Sequence, residues 1–127
     1  MQIARRKIGP SEPPLVIAEI GINHGGNLAL AKHMVSLAAR SGCECIKHQT
    51  HFVEDEMTEA AKEIFPPNAD VSIWDVMANC ALSKDDEVAL KHHTESLGLI
   101  YLSTPFSRSA SDFLEEIDVP GFKIGSG

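Results

Sequence analysis

The chain has 127 residues, 43% hydrophobic and 23% charged, the composition of one globular domain rather than of a disordered segment. Its formal net charge of −7 argues against a nucleic acid or an anionic membrane as partner, since both need a basic face, while leaving room for a small anionic substrate in a locally basic pocket. Cys43, Cys45 and Cys80 are odd in number and include a C-x-C pair, which fits neither a disulfide framework nor a redox C-x-x-C, so they read as reduced, mostly buried thiols of a cytoplasmic protein.

Residues 1–14 read as an irregular arm that ends in Pro13-Pro14, and residues 15–127 as one domain. The arm carries two arginines and a lysine but no apolar stretch follows, so it is not a signal peptide. No apolar run approaches the roughly 18 residues of a membrane span. Leu15-Val16-Ile17-Ala18-Glu19-Ile20, stopped by Gly21, is the first predicted strand. Asn27 is placed to cap a helix whose Leu28, Ala31, Met34, Val35 and Ala38 recur at three- and four-residue steps, and Gly42 to end it. Cys45 to Gln49 is the second strand. A long interruption from Thr50 to Leu82 is expected to hold two short helices, the second with Ile73, Val76, Met77 and Cys80 on one face. Ser83 and Asp86 resemble a capping box at the start of a helix running from about Lys84 to Leu97, which Gly98 stops. Leu99 to Ser103 is the third strand. Ala110, Phe113, Leu114 and Ile117 mark a further helix, and Phe122-Lys123-Ile124 the fourth strand.

Strands alternating with helices imply a parallel sheet with crossover connections. Four strands fit a small flavodoxin-like domain or the first half of an eight-stranded barrel. The loop "GINHGGN" after the first strand is not the G-x-G-x-x-G expected of the former.

Each predicted strand carries polar groups near its C-terminal end: Glu19 on the first, Lys47 and Gln49 on the second, Ser103-Thr104 on the third, Lys123 and Ser126 on the fourth. In a parallel α/β sheet these ends lie on one side, where active sites are built. Alternation places Cys45, Lys47 and Gln49 on one face of the second strand and Ile46, His48 and Thr50 on the other. His48 then points to the helical layer as a hydrogen-bonded histidine, and its parity is opposite to that of His51, against a shared metal. Two lysines with hydroxyl residues suit a phosphorylated substrate, and Glu19 suits orienting a hydroxylated one or moving a proton. The alternative is that Glu19 simply pairs with Lys47 or Lys123. Glu54-Asp55-Glu56 and His92-His93 read as solvated faces, Trp74 as packing, and Asn23-His24 as a rim loop.

The stretches "IAEIGINHGGNLALAKHMV", "IKHQTHFVEDEM", "ADVSIWDVM" and "STPFSRSA" followed by "VPGFKIGSG" closely resemble the bacterial N-acetylneuraminate (sialic acid) synthase family, in order from about Leu15 to Gly127. The family includes close relatives making legionaminic and pseudaminic acids, many relatives carry Phe after the strand lysine, and the "KHQTH" form looks most like the N-acetylneuraminate branch. The resemblance implies the N-terminal half of a (β/α)8 TIM barrel, with four parallel strands here and an antifreeze-like domain after the barrel. It implies condensation of phosphoenolpyruvate with N-acetylmannosamine, assisted by a divalent metal, typically manganese, that polarises the sugar aldehyde. Carried over by position, it puts Lys47, Thr104 and Ser126 around the phosphate of phosphoenolpyruvate, Lys123 near the same substrate, Glu19 near the reacting carbons, and Asn68 of "PPNADVSI" at the amino sugar. Gln49 enters from its place on the Lys47 face. The resemblance further implies a homodimer, and metal-ligand histidines beyond Gly127. The chain is therefore expected to be about the first third of a synthase and to be inactive alone, the alternatives being a legionaminic or pseudaminic acid synthase or a non-catalytic phosphate-binding half-barrel.

Overall fold

A computed structural model of the chain describes residues 1–125. The arm is more ordered than expected. Gln2–Ile3 (β1) and Arg6–Lys7 (β2) form an antiparallel hairpin. The hairpin is tied to the rest of the chain by Arg6, whose Nε donates to Glu44 Oε2 at 2.6 Å and whose Nη2 donates to Pro13 O at 2.8 Å.

Glu44 stands just before the middle strand of the main sheet. That sheet has three parallel strands in the order β3-β4-β5: Ile17–Gly21 (β3), Cys45–Thr50 (β4) and Ile100–Pro105 (β5). In-register pairs are Glu19 with Lys47, Lys47 with Leu102, and Gln49 with Thr104, with an irregularity between Glu19 and Gly21. Between β3 and β4 runs α1 (Leu28–Arg40), capped by Asn27, whose Oδ1 accepts from the Leu30 N–H at 2.9 Å.

After β4 the chain makes its long excursion: a single turn α2 (Val53–Glu56), a 3-10 turn at Glu59–Glu63, and α3 (Ile73–Cys80). This is one turn more than the two helices expected. The α3 face of Ile73, Val76, Met77 and Cys80 is half-buried rather than part of the core. Then α4 (Lys84–Ser96), capped by Ser83, returns to β5, and α5 (Arg108–Glu116) follows it, burying Ala110, Phe113 and Leu114.

Ala31 and Val35 of α1, Leu90 of α4, Ile20, Ile46 and Tyr101 of the strands, and Leu82 and Leu99 form one core. Helices α1 and α4 therefore cover the same sheet face, the one that carries Ile46 and Tyr101, and Ser36 of α1 meets His93 of α4 at 3.0 Å. Burying this set is the main driving force for the layer.

The expected fourth strand is a single parallel bridge, Ser103 to Phe122, with the Lys123 N–H donating to Ser103 O at 3.0 Å. Only three residues separate Gly121 from Gly125, and Phe122 and Ile124 are 45% and 81% exposed, so little burial drives a longer ladder. The bridge falls on the β5 edge away from β4.

The loop between β3 and α1 packs against the end of α3. Gly26 has φ +74, and a Cβ built on it would lie 2.5 Å from Asn79 O, whereas Gly25, at φ +55, faces open space. Left-handed backbone costs a non-glycine residue about 1–2 kcal/mol. Gly25→Ala is expected to lose about that much, and Gly26→Ala clearly more, because backbone must also move. Urea midpoints of the two variants check this, and equal losses would mean that the contact with Asn79 is not tight.

Candidate functional site

Because side chains alternate along a strand, the face of the sheet turned away from α1 and α4 collects Glu19, Lys47, Gln49, Leu102 and Thr104. Lys47 Nζ donates to Glu19 Oε1 at 2.8 Å, and the two side chains are 7% and 65% exposed. The ion pair raised as an alternative from the sequence is thus the geometry present. The hydrogen bond from Lys47 holds the Glu19 carboxyl below the usual carboxylate range, with the charges of Lys47 and Lys123 acting in the same direction. Glu19 is therefore a carboxylate at neutral pH, open to water on one side and bound to a sheltered ammonium on the other.

Thr104 is 1% exposed, and its Oγ1 is the buried side-chain polar atom without a hydrogen-bond partner among the described residues. Buried hydroxyls are normally satisfied, so an orphan at a strand end needs a reason. Ser103, grouped with Thr104 in the sequence, faces the helices instead, with Oγ 2.7 Å from Thr50 Oγ1. Lys123 is exposed and near enough to act on Glu19 electrostatically. Asn68 is not drawn in. It lies in an exposed turn closed by the Ala69 N–H to Pro66 O, with no hydrogen bond to the other candidates among the described residues. Ser126 lies outside the described residues.

The opposite face holds a buried network of fixed direction. The Gly26 N–H donates to His24 Nδ1 at 3.2 Å, so that nitrogen is an acceptor. The proton of neutral His24 is then on Nε2 and is donated to His48 Nε2 at 3.0 Å. His48 in turn carries its proton on Nδ1, 3.2 Å from Glu87 Oε1. The same carboxylate oxygen accepts from Tyr101 Oη at 3.1 Å and from Thr50 Oγ1. His48 is thus the histidine between sheet and helices that alternation implied. Its partner Glu87 was missed, and His24, read as a rim-loop residue, is buried against His48. A signal for Glu87 existed, since it shares a buried i, i+3, i+4, i+7 stripe of α4 with Leu90, Lys91 and Thr94.

Two expected solvated faces are partly buried. Glu56 of the acidic run turns inward, and both its oxygens lie 2.9–3.0 Å from His51 Nδ1, with the side chains 5% and 3% exposed. His93 reaches Lys32 O at 3.2 Å as well as Ser36. Of the cysteines only Cys45 is fully buried, and burial pushes its thiol up to about 11, which makes it unreactive. No three His, Cys, Asp or Glu side chains are arranged to hold a metal ion among the described residues. No described helix is long and apolar enough to cross a membrane. A separate cleft of about 820 Å3 opens at the N-terminal ends of the strands, lined by Arg5, Arg6, Glu44 and Glu95 among others, away from the polar strand ends.

Residues 34–127 match the family model described as the NeuB family. Human N-acetylneuraminate-9-phosphate synthase is 32% identical over 127 residues, covering 96% of this chain and 35% of its own length. The N,N'-diacetyllegionaminic acid synthase of Legionella pneumophila is 34% identical over 125 residues, covering 94% of this chain and 35% of its own length. The crystal structure of an N-acetylneuraminic acid (sialic acid) synthetase from Leptospira borgpetersenii superposes with a TM-score of 0.80 at 30% identity, over 98% of this chain and 40% of that one. The chain spans about a third of the length of the curated relatives it matches.

Burial first, and the neighbouring His48 second, hold His24 below the ordinary histidine pKa. The unfolded chain then binds this proton more readily than the folded one. The resulting stability is fully present above the ordinary value of about 6.5 and is lost as pH falls below it. Urea unfolding at pH 7.5 and 5.5 is expected to show a smaller acid loss for His24→Gln than for the unchanged chain. An equal loss in both would contradict the assignment of that proton to His24.

Proposed function

Since the chain belongs to the NeuB family, we propose that it is the N-terminal part of a nonulosonic acid synthase that condenses phosphoenolpyruvate with N-acetylmannosamine to give N-acetylneuraminate and phosphate. The observation that carries this reading is the buried Thr104 hydroxyl, without a hydrogen-bond partner among the described residues, on the same sheet face as the Lys47 ammonium and in register with Gln49 two residues along the strand from it. A sheltered cation with an unspent hydroxyl is what a phosphate would complete.

In this reading the three-stranded sheet and the bridge at Phe122 begin a (β/α)8 barrel. Residues 1–14 are an arm, residues 15–127 part of the barrel domain, and an antifreeze-like domain follows in the longer protein. The mouth lies at the C-terminal strand ends. Lys47, Thr104 and Ser126 hold the phosphate of phosphoenolpyruvate, and Lys123 its other end. Gln49 and Asn68 contact substrate, Asn68 on the amino sugar. Glu19 starts paired to Lys47. Phosphate arriving at Lys47 would release that carboxylate toward the sugar, where it orients a hydroxyl or moves a proton. The methylene carbon of phosphoenolpyruvate bonds to the sugar aldehyde carbon while the C=O π pair moves onto the aldehyde oxygen, which takes up a proton that the adding water gives back. Water adds to the resulting cationic carbon, and the tetrahedral intermediate loses phosphate. A divalent metal, manganese in this reading, would supply Lewis acidity at the aldehyde from ligands outside this chain. The longer protein acts as a cytoplasmic homodimer, and this chain alone does not turn over.

Legionaminic or pseudaminic acid synthesis is the second reading, favoured by the Legionella relative. Assaying the full-length protein with each amino sugar decides between them. Lys47→Ala is expected to weaken phosphoenolpyruvate binding by titration calorimetry about 10- to 100-fold, the worth of one charge-assisted hydrogen bond. Thr104→Val is expected to weaken it about 10-fold while leaving stability equal or higher, because an unpaired hydroxyl is removed. Unchanged affinity in both variants would take the phosphate away from this face.

A further inference from the structure

His51 and Glu56 end the stretch that carries Lys47 and Gln49, and the proposed reaction gives them no task. Both are almost fully buried. Glu56 Oε1 and Oε2 accept from His51 Nδ1–H at 3.0 and 2.9 Å, and the imidazole stacks on Phe106 just past β5, with ring centroids 4.4 Å apart and planes at 15°. With Nδ1–H donated to the carboxylate, Nε2 of the neutral imidazole accepts, so of the two interchangeable ends of the Gln49 amide it is the NH2 that belongs in the position 3.3 Å away. On the other side of Gln49, a Cβ at Gly21 would lie 4.0 Å from its Cδ. The amide is thus bounded by β3 and by an imidazole that cannot turn. Gln49 shares the face of Lys47 and is in register with Thr104.

We infer that His51 and Glu56 are a positioning pair that holds the Gln49 amide in one orientation, one of its polar ends against His51 and the other toward the substrate mouth. A glutamine amide is free to rotate and flip at little cost, so unheld it would offer a substrate oxygen a donor and an acceptor in turn. Burying an ionisable pair is a poor way to gain stability, which accords with a gain in orientation instead. The inference rests on the reading of Gln49 as a substrate contact.

Gln2 and Gln49 are the only glutamines in the sequence, so 15N-glutamine labelling of this chain yields two side-chain amide pairs. Heteronuclear relaxation is expected to show Gln49 as ordered as the backbone. In His51→Phe, which keeps the stacking, and in Glu56→Gln, Gln49 is expected to become as mobile as a surface amide. Unchanged order in both variants would overturn the positioning role. In the full-length enzyme, His51→Phe and Gln49→Ala are each expected to raise the KM for the same substrate about 10-fold, with kcat less affected. The double variant is expected to be no worse than either single one. Multiplying effects would mean that His51 acts independently of Gln49. A full-length protein without synthase activity would sink the functional reading, and the relaxation measurement would still decide whether the pair holds the amide.

Discussion

Neighbouring residues of a strand point to opposite faces, and β4 is polar toward both. Lys47 and Gln49 alternate with His48 and Thr50 at the centre of the sheet, where an unmatched polar group is costly. Each side answers differently. On the helix side, α4 brings Glu87 down onto the sheet, and one carboxylate oxygen receives His48, Thr50 and Tyr101. On the other side Lys47 receives only Glu19, itself largely in water, and Thr104 receives nothing among the described residues. The asymmetry separates a closed structural network from an open face. It leaves the polar groups with fewest protein partners among the described residues on the face turned away from the helices.

The closed network also organises the loops around the open face. His24 links the loop after β3 to β4, and Gly26 in the same loop presses on the end of α3. The excursion between β4 and α4, which carries Asn68, is thus anchored at its far end to β3, while His51 and Glu56 anchor its near end beside Gln49. Packing of this kind leaves the middle of the excursion as the exposed part. Ile64, Phe65 and Asn68 are on the surface there.

The elements with strong local signals were legible in the sequence. The three strands, α1, α4 and α5 lie where periodicity put them, and Asn27 and Ser83 cap helices as read. Parity alone separated Lys47 and Gln49 from His48. What escaped depends on contacts distant in the chain. Glu87 looks like a solvated first-turn acid until His48 and Tyr101 are brought to it. Glu56 looks like part of an acidic surface run until α2 folds it back onto His51. Ser103 and Thr104 look alike as neighbours, but only one of them can face the open side. The fourth strand was over-read because three apolar-leaning residues between glycines resemble a strand in sequence, yet find only one bridge here.

In the proposed reading phosphate binds at the open strand-end face and not at the arginines of the cleft at the opposite end, lined by Arg5 and Arg6. Titrating phosphoenolpyruvate into isotope-labelled full-length protein, with amide and methyl signals assigned, tests it directly. The expected result is a saturable set of shifts centred on Lys47, Gln49 and Thr104, with Arg5 and Arg6 unmoved. Shifts centred on Arg5, Arg6 and Glu44 with Thr104 silent would contradict it.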